Sequence, residues 1–236
     1  HIIVVIKPAG LESQSGKSFA PDMVSEIRKH LASHPQDIHK LTKETSTASK
    51  YPQPPYVGVI HRLDRPVSGI MVYAKNPKAA ASLSTSLQQG KIEKWYQAVI
   101  CGKPVDNGTY VDYLKQDKKN NCSRIVDKSD PESKRAELEY KVLDCIRTEE
   151  KDSQYLSLVE IKLLTGRHHQ IRVQFSGHGT PLYGDGKYGN NEKAVRKSLA
   201  LCACHLKFKH PATGKIMDFQ IKPDTGAFKL FSKSND

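Results

Sequence analysis

The chain has 236 residues, 37% hydrophobic and 26% charged, and carries 37 Lys and Arg against 25 Asp and Glu, a formal net charge of +12. That length buries one good core or a single domain made of two lobes, and no apolar run approaches the roughly 18 residues of a spanning helix, which excludes a helical membrane segment. Five cysteines, Cys101, Cys122, Cys145, Cys202 and Cys204, are odd in number and scattered, which fits a reduced, cytoplasmic setting rather than a disulfide framework.

The opening HIIVVIKPAG is already strand-like and lacks the basic region and cleavage site of a secretory signal. So abrupt a start suggests that something precedes residue 1. Ile2 to Ile6 are expected to form a strand, ended by Lys7, Pro8, Ala9 and Gly10. Residues 11 to 56 follow as a polar, mobile insertion. Within it the spacing of Met23, Val24, Ile27 and Leu31 predicts one helix from Pro21 to about Ala32, with proline in its first turn. The stretch LTKETSTASKYPQPPY is too polar and Pro-rich to pack.

Residues 57 to 75, VGVIHRLDRPVSGIMVYAK, set a charged knot between two apolar runs. Val57, Val59 and Ile60 read as the end of one buried strand, and Ile70 to Tyr73 as the start of another. Between them Asp64 is flanked by Arg62 and Arg65. Opposite charges lower a carboxyl pKa and offset desolvation, so such an aspartate stays ionised in a half-buried cleft and suits a nucleophile better than a proton donor. Pro66, Ser68 and Gly69 turn the chain sharply and hold the carboxylate on a rigid platform. The same residues also suit an ordinary ion pair at a turn.

Asn76 and Pro77 are an N-cap and first-turn pair for a helix running to about Gln89 and closed by Gly90. A strand is expected from Ile92 to Ile100, ending at Gly102. Residues 110 to 135, with seven basic and five acidic side chains, read as an exposed hairpin or finger-like loop. An acidic segment from Glu137 to Asp152 leads into a strand, Tyr155 to Leu164, whose alternation implies one buried face.

Gly166 ends that strand, and a short helix follows in which Ile171 and Phe175 share one face, and His168 and Arg172 another. Residues 177 to 189 are glycine-rich but lack the G-K-[ST] of a nucleotide-binding loop, and no H-E-x-x-H is present. Two strands joined by a turn over residues 210 to 215 close the chain, Leu199 to Lys209 and Ile216 to Lys222. Cys202, Cys204, His205 and His210 lack the spacing of a zinc knuckle. Their alternation makes them inward and outward residues of a strand. No internal repeat or low-complexity block is present.

The basic surplus is uneven. Residues 57–109 hold seven basic and three acidic side chains and residues 160–236 hold thirteen and six, so these two segments supply eleven of the twelve units of net charge. They are the segments with the candidate motifs, which is where a polyanion would lie. Strands with a few packing helices and no regular βαβ alternation argue an α+β fold with a largely antiparallel sheet.

Three stretches resemble the RluA-like family of RNA pseudouridine synthases: HRLD with its turn and apolar strand, the K-x-Y-x-A of Lys94, Tyr96 and Ala98, and the G-R-x-H-Q-I-R that begins at Gly166. They come in the family's order, and the likeness runs from about residue 2 to residue 223 as a single catalytic domain. It departs at position 67, which is Val where many members have Thr; at 168, His where Thr is common; and at 174, Gln where His is common. The small RNA-binding module carried by some relatives is absent from this sequence.

The resemblance implies a central mixed, mostly antiparallel sheet in two half-domains flanked by helices, with an RNA cleft between them. It implies isomerisation of specific uridines to pseudouridine in rRNA or tRNA, without cofactor, metal or nucleotide. Asp64 would be the nucleophile or charge stabiliser, attacking the ribose or the base. Tyr96 would lie beside the flipped base, and Arg172 would be the ion-pair partner of Asp64. Arg62 is the candidate to fill the vacated stack. His61, Arg65, Lys94, Arg167, His169 and Gln170 complete the expected RNA contacts. A monomer is expected. A catalytically silent RNA-binding protein shares the basic surplus but has no need of Asp64 and Tyr96 together. A nucleosidase or glycosidase normally needs a second carboxylate, and neither Glu93 nor Asp185 has a clear place in such a pair.

Overall fold

Strands dominate where β-branched and aromatic residues run together or alternate, and the two longer helices form where a polar cap precedes an apolar stripe. A computed structural model describes residues 1–15, 20–34, 54–148, 155–189 and 198–231. The expected loop of residues 41–56 lies outside the described residues apart from its last three. The chain divides into two compact units, His1–Ile92 with Phe208–Met217, and Glu93–Lys207 with Asp218–Asp236.

In the first unit β3 (Ser68–Ala74) is buried from Gly69 onward. β1 (Ile2–Lys7) pairs antiparallel with it, Ile2 opposite Ala74 and Lys7 opposite Gly69. β2 (Gly58–Val59) pairs antiparallel with the last two residues of β3, Gly58 opposite Ala74 and Val59 opposite Tyr73. The sequence implies a longer strand here. Pro54 and Pro55 offer no N–H for a ladder, and only two residues pair, although Val57 and Ile60 are buried.

α1 (Met23–Ser33) buries the four apolar residues that the spacing picks out, Met23, Val24, Ile27 and Leu31. It starts two residues later than expected. Asp22, not the proline, is the cap: its backbone is extended, its carboxylate accepts the N–H of Ser25 at 2.6 Å, and its own N–H donates to Oγ of Ser25 at 3.0 Å. α2 (Pro77–Gln88) begins as expected, with Asn76 accepting the N–H of Ala79 at 2.9 Å.

The described residues of the second unit are built on an antiparallel sheet. β4 (Glu93–Cys101) lies between β8 (Tyr155–Leu163) and β9 (Leu201–Lys209); β8 pairs onward with β7 (Lys134–Arg147), β7 with β5 (Asn107–Asp117), and β5 with β6 (Cys122–Val126). α3 (Gln170–Gly177) follows β8, and β10 (Ile216–Gln220) pairs with β9. A 3₁₀ turn, Gly226–Phe231, packs Phe228 and Phe231 against Val99, Leu156 and Cys202.

The α+β class and the largely antiparallel sheet are found as read. Of the two forms expected for residues 110–135 the structure shows the hairpin, β5–β6. Two other local expectations change. From Glu137 to Arg147 the acidic segment belongs to the fourteen-residue β7, in which Ala136, Leu138 and Tyr140 point inward while Glu139 and Lys141 face solvent; an acidic outer face disguised a strand. In β9 the expected alternation holds from Cys204, which is buried, through His205 to Lys209, but Leu201 to Cys204 are all buried, so the strand is covered on both faces at that end. No helix among the described residues is long and apolar enough to cross a membrane.

Candidate active site

Asp64 sits on a turn stapled to the loop that follows β1. The N–H of Gly10 donates to the Arg65 carbonyl at 2.8 Å, and Nε of Arg65 returns a bond to the Gly10 carbonyl at 3.0 Å. One residue pair along, Oγ of Ser13 donates to the Leu63 carbonyl at 2.8 Å and accepts the Leu63 N–H at 3.0 Å. Val67 closes the turn with an N–H to the Asp64 carbonyl at 3.0 Å. Leu63 and Val67 are buried and anchor the turn from both sides, leaving Asp64 half-exposed and Arg62 and Arg65 exposed. His61 is drawn inward, its Nε2 accepting the N–H of Val72 at 3.2 Å.

Beneath this turn lies Lys7, which the sequence offers only as the end of a strand. It is 0% exposed. Its ammonium donates to the carbonyls of Leu11, Pro8 and Arg65 at 2.6, 3.0 and 3.2 Å. Burial pushes its pKa down to about 8, and the charge of Asp64 offsets part of that fall. A lysine directly before Pro, at the end of an apolar strand, was the available signal.

In the second unit Tyr96 is buried on β4, opposite Ile161 on one side and Ala203 on the other, beside a register shift at Trp95 and Tyr96. Lys94, two residues before it, has its pKa lowered by burial. Its Nζ lies near Gly166, so the second and third motifs meet there: a Cβ on that glycine would be 3.5 Å from the nitrogen.

The third motif is built around α3. Gln170 is 3% exposed and spends its amide inside the protein: Oε1 accepts from the Thr165 hydroxyl at 2.8 Å and the Arg167 N–H at 2.9 Å, and Nε2 donates to the Glu137 carbonyl at 3.1 Å. Arg167 is exposed, with Nε on the Arg135 carbonyl at 2.8 Å. His169 takes a left-handed backbone, φ 53° and ψ 23°, at the start of α3, and its Nδ1 is 2.7 Å from the Tyr188 hydroxyl.

Arg172 is buried and makes a two-point ion pair with Asp185, Nε to Oδ2 at 2.8 Å and Nη2 to Oδ1 at 2.7 Å. Oδ1 also accepts the N–H groups of Lys187 and Tyr188 at 3.0 and 3.1 Å. Burial alone would raise the Asp185 pKa, but Arg172 and the two N–H groups outweigh it and hold the carboxyl below its ordinary value. The Tyr188 ring lies 5.1 Å from the guanidinium carbon, and burial pushes the phenol up to about 12.

Asp185 is the functional candidate that sequence reasoning left without a partner. Its signal was the glycine-rich YGDG: Gly184 has φ +74°, and a Cβ there would sit 2.2 Å from the Ser198 carbonyl oxygen. Among the described residues no group of three His, Cys, Asp or Glu could hold a metal ion.

Within the first unit this arrangement presents a half-exposed carboxylate on a stiff turn, able to act as a nucleophile. Within the second it fixes a buried guanidinium and a buried phenol ring on neighbouring motifs.

A model of the family described as RNA pseudouridylate synthase matches residues 1–177. A ribosomal large subunit pseudouridine synthase D of Zymomonas mobilis is 31% identical over 231 residues, covering 94% of this chain and 66% of that protein. An uncharacterized RNA pseudouridine synthase of Aquifex aeolicus is 33% identical over 235 residues, covering 95% and 67%. The chain thus spans about two thirds of the length of these curated relatives, and about half of others. The solved structure of human RNA pseudouridylate synthase domain containing 4 superposes with a TM-score of 0.71 at 22% identity, over 98% of this chain and 88% of that one, which is a likeness of fold.

Proposed function

The chain belongs to the RNA pseudouridylate synthase family, and from that membership we propose that it isomerises specific uridines to pseudouridine in ribosomal or transfer RNA. The observation that carries this is the coincidence of the family match with a half-exposed aspartate on a doubly stapled turn, inside the motif that the family shares.

The reaction balances within the substrate. The bond from ribose to nitrogen 1 of uracil breaks, the base turns, and carbon 5 bonds to the ribose instead; carbon 5 loses a proton and nitrogen 1 gains one. Nothing is oxidised or reduced, so no redox cofactor is called for. Asp64 takes the part of nucleophile or charge stabiliser, on the ribose or on the base. By the likeness of their motifs, Tyr96 stacks on the extruded base and Arg172 serves as the cation for Asp64, with Arg62 filling the gap in the RNA stack. His61, Arg65, Lys94, Arg167, His169 and Gln170 shape the RNA-contacting surfaces, Gln170 and His61 from behind through the bonds described above. The basic surplus suits RNA, and five reduced thiols suit the cytoplasm.

The test is to incubate the protein with unmodified ribosomal and transfer RNA and map pseudouridine by nucleotide. New pseudouridine at a few discrete positions is the expected result. Binding of both RNAs without any new pseudouridine would favour a silent RNA-binding protein.

A further inference from the structure

Tyr188 touches two things at once. Its ring faces the Arg172 guanidinium at 5.1 Å. Its hydroxyl accepts the N–H of Ser123, on β6, at 2.8 Å and lies 2.7 Å from Nδ1 of His169, within hydrogen-bond distance. The neighbouring residue repeats the connection: the Lys187 ammonium donates to the Asn121 and Asn120 carbonyls, at the tip of the β5–β6 hairpin, at 2.7 and 3.3 Å. The N–H groups of both residues end on Oδ1 of Asp185, the carboxylate that holds Arg172. Ser123 and Asn121 also engage His168, at 2.9 and 3.2 Å. Lys118, Lys119 and Arg124 are exposed at this same end of the hairpin, so the end that carries cationic surface is also the end joined to the Arg172 clamp.

We propose that Tyr188, acting with Asp185, is a positioning residue that couples the seating of the β5–β6 hairpin on RNA to the position of Arg172. The proposal rests on the RNA-modifying reading above. Hydrogen bonds of 2.7 to 2.8 Å tolerate little displacement before they weaken, so a hairpin pulled by phosphate contacts drags the hydroxyl. The ring and the Asp185 loop follow as one piece. Tyr188 need touch neither substrate nor reacting atoms to do this.

Tyr188→Phe keeps the ring under the guanidinium and removes only the hydroxyl. At saturating RNA its kcat is expected to fall about tenfold, inside the roughly 100-fold that a 1 Å misplacement can cost, while RNA affinity stays within about twofold. Hydrogen exchange supplies the readout that a merely structural role would not move. In the wild type, RNA should protect the amides of both 117–126 and 185–189; in Tyr188→Phe it should protect the hairpin alone. Should that variant not fold, Ser123→Pro, which removes the N–H that Tyr188 accepts and leaves Tyr188 itself intact, carries the same expectation. Unchanged kcat, or equal protection of 185–189 in variant and wild type, overturns the coupling. Absence of turnover by the wild type would count against the proposed reaction instead, and the exchange comparison would still decide the coupling.

Discussion

Arg172 and Asp185 close on each other through two hydrogen bonds with side chains only 7% and 0% exposed. Removing one member of such a buried pair leaves the other without its counter-charge and costs about 3 to 5 kcal/mol. Asp185→Ala is expected to lose that much in urea unfolding at neutral pH. Because the folded carboxyl titrates below its ordinary value, its contribution is complete above the unfolded pKa and vanishes as the pH falls through the folded one. The gap between wild type and variant should therefore shrink in acid; a gap unchanged at pH 2 would contradict the pairing energetics.

Gly184 precedes that aspartate and admits no side chain. The Cβ of Gly184→Ala would meet a backbone oxygen at 2.2 Å in a left-handed conformation, so the loop must move. A loss of at least about 2 kcal/mol is expected, since strain of about 1 to 3 kcal/mol adds to the clash. Gly177→Ala meets only the tip of the Ile125 side chain and should cost less. Equal losses in thermal unfolding would show the loop to be pliable.

Lys7 makes a prediction of the same sign in a higher pH range. Its folded pKa of about 8 lies below the ordinary 10.5, so between those values the unfolded chain binds the extra proton and Lys7 adds stability as the pH rises. Against a Lys7→Met reference, the wild type should gain stability between pH 7.5 and 9.5 in urea titrations. Parallel curves would mean an ordinary lysine.

How much of this was legible in the sequence divides by range. The Asn76 cap, the stripe of α1 and the turn at Pro66 are local signals written in neighbouring residues, and each was readable. The acidic β7 was not, because its charges sit on the solvent face and its partners, β5 and β8, lie elsewhere in the chain. Asp185 and Lys7 were missed for a related reason. A charge becomes a buried partner only when distant carbonyls or a guanidinium close around it, and composition carries no record of that. The start of α1 went astray because proline and aspartate compete for the same boundary, and the capping bond to Ser25 decided it.

The basic surplus should appear as salt dependence. Each phosphate contact contributes about 0.7 to the slope of log affinity against log salt for single strands. Removing the exposed Lys118 and Lys119 charges with a double alanine variant should lower the slope by about one to 1.5. An unaltered slope would take the hairpin tip out of the RNA contact.

The central claim rests on Asp64, and release of tritium from RNA labelled at carbon 5 of uridine tests it most directly. Wild-type protein should release tritium into water, while Asp64→Asn, which keeps the size and the turn but removes the nucleophile, should bind RNA equally and release less than about 1% as much. Substantial release by Asp64→Asn would contradict the assignment of the chemistry to this residue.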